Sequence, residues 1–320
     1  MLTLVTGAAG FIGSLLVERL LADRRAVVGI DCFRDYYDPA AKRNNIAASL
    51  RDPLFTLLEA DLSGDFEPAL QGCIPHGERV TVYHLAAQPG VRRSWGANFG
   101  DYVRDNVTAT QKLLEWASES GCVTRFVNAS SSSVYGASPQ TPLSEAGSLP
   151  APVSPYGVTK LAAEHLVGLY SGRSGIPSVS FRFFTVYGPR QRPDMAFHRF
   201  ILAVLRGEPV QVLDDGRQTR DFTFVSDVVE GLYRAGDSPV CGVYNLGGGN
   251  RVTLLEAVGE IENATGAKAI LSFAPAQPGD ARDTLADTTR LERDLGWKPG
   301  VPLQEGIRRE TEWIRAAYGL

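Results

Sequence analysis

Short apolar runs alternate with segments of helical period through the first 190 residues. Runs at 2–6, 26–31, 55–61, 80–86, 125–129 and 179–184 have the length of strands, while 12–21 and 107–118 place apolar side chains at i, i+3 and i+4. This alternation is the pattern of β-α-β units, which build a parallel sheet covered by helices. It predicts an α/β protein with a doubly wound parallel sheet. After Pro189 the rhythm becomes irregular. A helix at 197–206, a short strand at 210–213, a strand at 221–225 and a helix opening at Ser226-Asp227 lead to a further strand at 243–246, which runs into Gly247-Gly248-Gly249. Helices follow from Thr253, at 289–295 and at 304–318. This half reads as a smaller α/β lobe whose chain returns at least once to the large sheet.

The composition supports a large core. Of 320 residues, 44% are hydrophobic and 21% charged, so the chain lacks the polar, highly charged balance of a disordered protein. The formal charge of −4 supplies no positive field for nucleic acid or anionic lipid, which shifts expectation to a small ligand. No stretch reaches 18 uninterrupted apolar residues, so neither a membrane span nor membrane partners are expected. Cys32, Cys73, Cys122 and Cys241 lie far apart with no CxxC pair, a usage that fits reduced thiols, a cytoplasmic location and no metal site.

Candidate chemistry begins at Gly7-Ala8-Ala9-Gly10-Phe11-Ile12-Gly13, which follows the first strand and opens a helix. Glycines spaced GxxGxxG there let backbone N–H groups approach a pyrophosphate, and mark Gly7, Gly10, Phe11, Ile12 and Gly13 as cofactor-binding. Asp31 ends the second strand 18 residues after Gly13, near the spacing of the carboxylate that accepts ribose hydroxyls and repels a 2′-phosphate. NAD is therefore favoured over NADP, with Arg34 close enough in sequence to keep the question open. Asp61-Leu62 ends the third strand, where an adenine is met or where an Asp simply caps the next turn.

Tyr156 and Lys160 are four residues apart, so a helix starting there presents both on one face. An ammonium beside a phenol favours phenolate and makes the tyrosine a candidate general base. Ser130-Ser131-Ser132-Ser133 follows the fifth strand, where a doubly wound fold opens its ligand crevice, and places a hydroxyl for the substrate oxygen that the tyrosine deprotonates.

In this order, GxxGxxG, His84-Leu85-Ala86-Ala87, the 131–135 segment, the Tyr156/Lys160 pair and Arg182-Phe183-Phe184-Thr185-Val186-Tyr187-Gly188-Pro189 resemble the extended short-chain dehydrogenase/reductases, specifically nucleotide-sugar epimerases and dehydratases. The resemblance spans essentially the whole chain. It implies a Rossmann-like NAD-binding domain at 1–185, rejoined by the chain at about 221–248, and a nucleotide-sugar-binding lobe formed mainly by 186–320. It also adds Ala86, Ala87 and Asn106 to the cofactor-binding residues. The 4,6-dehydratases carry Asp-Glu just before Val-Tyr-Gly, because eliminating water needs an acid at O6 and a base at C5; Ser132 and Ser133 stand there. UDP-glucuronate decarboxylases carry Glu at the position of Ser133. Oxidation and reduction at C4 remain.

Asp35-Tyr36-Tyr37-Asp38 with Lys42, and Gly188-Pro189-Arg190-Gln191-Arg192-Pro193-Asp194-Met195-Ala196, are similar to UDP-glucuronate 4-epimerases, although Arg190-Gln191 departs from the usual family segment. The resemblance implies that Thr185 and Arg192, with Ser131, Ser132 and Ser133, meet the sugar. Arg220, Asp280 and Arg282 would meet the diphosphate and ribose, an ordinary surface ion pair being the alternative for either arginine. The expected activity is NAD-dependent 4-epimerisation of UDP-glucuronate through a 4-keto sugar, with Tyr156, Lys160 and Ser131 catalytic and NAD recycled in place. A UDP-glucose/UDP-galactose 4-epimerase, a nucleotide-sugar 4-ketoreductase and a non-catalytic dinucleotide sensor are the alternatives. The helices at 107–118 and 156–170 are expected to pair with their copies in a homodimer.

Overall fold

The computed structural model describes residues 1–138, 140–275 and 281–320. Its chain begins with β1 (Leu2–Thr6), α1 (Phe11–Ala22), β2 (Ala26–Asp31), α2 (Pro39–Ile46), β3 (Phe55–Glu59), α3 (Glu67–Cys73), β4 (Val80–His84) and α4 (Phe99–Tyr102). There follow α5 (Ala109–Ser120), β5 (Val123–Ser131), α6 (Pro155–Ser174), β6 (Ser178–Phe183), β7 (Val186–Tyr187), α7 (Ala196–Arg206), β8 (Pro209–Leu213), β9 (Thr219–Phe224) and α8 (Val225–Gly236). The described elements end with β10 (Gly242–Leu246), β11 (Asn250–Thr253), α9 (Leu254–Thr265), β12 (Ile270–Ala274), α10 (Thr289–Leu295) and α11 (Leu303–Tyr318).

Strands β1 and β4 are buried at every residue, which is why they read as continuous apolar runs rather than as alternating ones. Seven strands pair in the order β10-β6-β5-β4-β1-β2-β3, and every pairing is parallel. Helices close both faces, as the doubly wound pattern requires. Leu16, Val17 and Leu20 of α1 share one core with Val228 and Leu232 of α8; Leu70, Leu113, Trp116 and Val167, from α3, α5 and α6, fill another. The order of strands reverses between β1 and β4, and a crevice at their carboxyl ends is where such a sheet binds ligands.

The second half adds a smaller layer. Strands β11, β9 and β7 form one sheet and β12 pairs with β8, while Phe197, Ile201, Ile261 and Ile307 from α7, α9 and α11 pack a separate core with Phe222. Strand β10 returns from this lobe to the edge of the large sheet beside β6.

Six elements, α2, α3, α4, β7, β11 and β12, lacked a sequence signal. Helix α2, PAAKRNNI, has few apolar residues and forms through its start: Pro39 occupies the first turn and Asp38 accepts the N–H of Ala40 at 2.8 Å. Helix α3 is short, and all of β12 except Ala274 is exposed. The predicted helix at 107–118 begins inside a π-helical turn, Val103–Thr108, before α5 becomes regular. Among the described residues, no helix is long and apolar enough to cross a membrane.

Candidate active site

The first strand ends in a tight cradle. Gly7 has φ +68°, and a Cβ there would lie 2.9 Å from the backbone nitrogen of Ala86; one on Gly13 would lie 2.1 Å from the Gly7 carbonyl oxygen. Glycine alone lets β1, the β4 exit and α1 approach this closely. Helix α1 starts at Gly10 without a side-chain cap, so its first-turn N–H groups remain available to an anion. On β4, the His84 Nδ1 meets the Thr6 hydroxyl at 2.8 Å and its Nε2 the Thr110 hydroxyl at 2.9 Å; burial pushes this imidazole down to about 3, so it is a neutral spacer.

Asp31 is buried beside the cradle. Its Oδ2 accepts the Ala9 N–H at 3.1 Å and its Oδ1 that of Phe33 at 2.8 Å, which leaves each oxygen a further acceptor site. Lys42 stands 3.9 Å from Oδ1 and donates to the Arg34 carbonyl at 2.9 Å. The guanidinium of Arg34 is itself committed to Asp61 at 2.7 Å and to Asp105 at 3.1 Å, so it is not a free cation beside the ribose position. Asp61 also caps its turn, accepting from the backbone and hydroxyl of Ser63.

Across the crevice, Ser154 caps α6 by accepting the Gly157 N–H at 3.1 Å, and Pro155 sets the first turn. Tyr156 and Lys160 therefore sit one turn apart. Burial pushes the Tyr156 phenol up, and the nearby Ser131 hydroxyl and Arg192 oppose this. Lys160 is itself pushed down, to about 8, by burial, with Glu164 opposing. Ser131 also accepts the Ser133 N–H at 3.1 Å, which makes Ser132 and Ser133 a short 3-10 turn continuing from β5.

The far end carries charge. Arg192 grips Asp194 through Nε at 3.0 Å and Nη2 at 3.1 Å, and the Tyr36 hydroxyl donates to Asp194 at 3.2 Å. The Tyr36 ring lies 4.7 Å from the Arg93 guanidinium and 5.7 Å from that of Arg192. One cavity runs the whole way, lined by the cradle glycines, Asp31, Asp61, Ala86, Tyr156, Lys160 and Arg192.

Residues 4–310 match the protein family described as GDP-mannose 4,6 dehydratase. The chain belongs to this family, a branch of the extended short-chain dehydrogenase/reductases. Within it, the chain is 43% identical over 319 residues to a Bacillus subtilis (strain 168) protein named as an uncharacterized UDP-glucose epimerase, covering 98% of both chains. It is 36% identical over 314 residues to a UDP-glucuronate 4-epimerase of Thermodesulfobacterium geofontis, covering 98% of this chain and 95% of the relative. The crystal structure of a Bacillus cereus UDP-glucuronic acid 4-epimerase in complex with UDP-glucuronic acid and NAD superposes with a TM-score of 0.93 at 40% identity, covering 99% of this chain and 100% of that one.

In this member of the family, the cavity lining includes Gly7, Gly10, Phe11, Ile12, Gly13, Asp31, Asp61, Leu62, Ala86, Ala87, Tyr156 and Lys160. Asn106, expected at the cofactor, instead stands behind the wall within the π-helical turn. Its Oδ1 accepts the Gln88 N–H at 2.7 Å and its Nδ2 donates to the Gln88 carbonyl at 3.1 Å and to the Thr159 hydroxyl at 3.0 Å. Thr185 is half-buried between β6 and β7, where its carbonyl accepts the Thr223 N–H at 3.0 Å. Arg220 donates to the carbonyls of Thr219 and Arg282 at 2.9 Å, and the exposed Arg282 pairs with Asp214 at 3.2 Å and Asp215 at 3.1 Å. Neither arginine lines the cavity. Asp280 lies outside the described residues.

The departure at Arg190-Gln191 has a structural account. Arg190, at φ +69°, donates to Ser14 at 3.2 Å and pairs with Glu18 on α1, while Gln191 accepts the His198 N–H at 2.9 Å. The segment is thereby pinned to the cofactor half on one side and to α7 on the other, which fixes the approach of Arg192. Tyr36, from the Asp35–Asp38 segment that carries the resemblance, lines that end of the cavity, and Arg93 lies over its ring.

Proposed function

We propose that the protein is an NAD-dependent 4-epimerase of a UDP-sugar, and that the sugar is glucuronate. The observation that carries the proposal is a single cavity in which Tyr156 and Lys160 lie between the Asp31 cradle and the Arg192 guanidinium. The relatives' substrates and bound NAD support it.

The residues present suit NAD. The glycine cradle admits close backbone contact with a pyrophosphate, the Asp31 oxygens have acceptor sites left for ribose hydroxyls, and Arg34 is already neutralised. Gly7, Gly10 and Gly13 would hold the pyrophosphate, Asp31 the adenosine ribose, and Lys160 the nicotinamide ribose. NAD would supply hydride acceptance at C4 and its return. NADP is expected to bind at least about tenfold more weakly, because its 2′-phosphate would meet the buried Asp31 carboxylate; calorimetric titration of the cofactor-stripped protein measures this.

Tyr156 takes the proton from the sugar O4 as C4 is oxidised and returns one to O4 as C4 is reduced from the other face, while Ser131 shares the O4 hydrogen bond. The ring must turn over between the two steps. With a carboxylate at C6 the 4-keto sugar is a β-keto acid, which loses CO₂ when the C5–carboxylate bond stands parallel to the carbonyl π system. The protein must therefore hold that bond near the carbonyl plane in both poses. Arg192, Thr185 and Ser131 to Ser133 are the groups proposed for this, and Arg220, Asp280 and Arg282 those proposed for the nucleotide.

Purified protein given UDP-glucuronate and no added cofactor is expected to yield UDP-galacturonate. Consumption of added NADPH without that product would instead support a 4-ketoreductase, and no turnover of any UDP-sugar would support a dinucleotide sensor. One observation favours a neutral sugar as the second reading: the fork of Arg192 is already occupied by Asp194, which suits a CH₂OH at C6 and UDP-glucose/UDP-galactose as the pair.

We further infer a homodimer, because Val158 and Leu169 on α6 remain 49% and 70% exposed in the single chain. Light scattering is expected to give twice 34.6 kDa, and Leu169→Glu is expected to shift it toward the monomer. The four cysteines are free, which supports a cytoplasmic location.

A further inference from the structure

One buried ion pair that this reaction does not use lies beneath the catalytic turn. Glu164 follows Lys160 by a single turn of α6, and the side chains of Glu164 and its partner Arg182, on β6, are only 6% and 5% exposed. The Glu164 carboxylate accepts the Arg182 Nε–H at 3.0 Å, a second bond from Arg182 Nη2, and the hydroxyl of Ser130 on β5 at 2.9 Å. The guanidinium also lies 4.6 Å from the centre of the Tyr135 ring, whose hydroxyl donates to Asn245 on β10 at 2.7 Å.

Two charges withdrawn from water are costly, and apolar replacements of such a pair are often no less stable. Stability is therefore a poor account of this one. Its position is a better account: Ser130, which Glu164 holds, precedes Ser131, and Glu164 is the group that opposes the effect of burial on Lys160. Other titratable groups near the pair differ in kind. His84 on β4 is neutral, Tyr102 on α4 is pushed up to about 12, Tyr156 is pushed up by burial, and Arg192 across the cavity is a cation. Glu164 is the carboxylate that the helix places one turn from Lys160, and Glu145 lies on the far side of the pair, accepting the Asn245 N–H at 2.7 Å.

We propose that Glu164, held by Arg182, is a positioning residue for the catalytic pair: it fixes Ser130, and so the strand end bearing Ser131, and supplies the negative field in which the buried Lys160 stays an ammonium. The inference rests on Tyr156 and Lys160 being that pair, and not on which UDP-sugar is used. Without the carboxylate, Lys160 loses its proton at lower pH, and the pH at which activity stops rising follows it.

The test is trace acetylation of the purified holoenzyme with acetic anhydride across pH, with the Lys160 peptide quantified by mass spectrometry; this reads the amine directly and needs no turnover. In Glu164→Gln the Lys160 midpoint is expected to fall by about one unit or more. The pH at which kcat/KM stops rising should fall with it, kcat should drop more than KM rises, and Glu164→Asp should restore most of the midpoint. Because Glu164→Gln orphans a buried guanidinium, Glu164→Gln/Arg182→Met repeats the measurement on a chain with no unpaired charge. A merely structural pair would lower activity at every pH without moving the midpoint, and an unchanged midpoint in either folded variant overturns the proposal. The catalytic reading fails separately, through a fully active Tyr156→Phe.

Discussion

Replacing Tyr156 with Phe is expected to lower kcat by about 10²- to 10⁴-fold, the range associated with loss of a positioned general base. The fold and the bound NAD should survive. Only the hydroxyl leaves; the ring keeps its edge-on contact with Tyr102 at 6.2 Å between centroids. Ser131 still accepts the Ser133 N–H. Product formation from UDP-sugar is measured alongside cofactor content and melting temperature, so that a loss confined to turnover is separable from a damaged site. An unchanged kcat would place the base elsewhere.

The pH profile of the wild type should be bell-shaped. Burial raises the phenol, so its deprotonated form, and with it kcat/KM, increases as pH rises. Lys160 acts as a cation and is pushed down to about 8, below the raised phenol, so above that region the ammonium lost offsets the phenolate gained and activity levels off, falling only once the phenol is itself ionised. Tyr156→Phe should remove the phenolate on which the rise depends, and Glu164→Gln should lower the pH at which the rise ends.

The cofactor half of the site was legible because its residues are placed by short-range covalent geometry. The glycine loop, α1 and Asp31 lie within one β-α-β unit, and helical spacing alone aligns Tyr156 with Lys160. Burial was not legible from spacing. It pushes both side chains toward their neutral forms. The Glu164–Arg182 pair was equally hidden, since two charges 18 residues apart carry no periodic signal until β6 and α6 pack together. Asn106 was misplaced for a local reason. The π-helical turn from Val103 to Thr108 turns its amide onto Gln88 and Thr159, behind the cavity wall. Tyr36 and Arg93 come from loops on different elements, which only the tertiary fold unites.

Replacing Arg192 with Gln is expected to raise KM for UDP-glucuronate by about ten- to a hundredfold, the equivalent of the roughly 1.5–3 kcal/mol of a charge-assisted hydrogen bond. KM for UDP-glucose should change several-fold less. Two effects add for the acid sugar. The guanidinium no longer attracts the carboxylate, and Asp194, now without its partner, repels it from the same position. Arg192→Gln/Asp194→Asn removes the second effect and should recover part of the loss, which measures how far Asp194 tempers the arginine in the wild type. Such tempering suits a site that must release the carboxylate once in each turnover while the ring turns over, because an arginine free to form both hydrogen bonds would hold the first pose too firmly. Initial rates with both UDP-sugars, for the single and the double variant, decide the matter. If both substrates lose affinity equally, Arg192 serves the diphosphate that they share, and the choice of glucuronate over glucose must be made by the serine turn and Thr185.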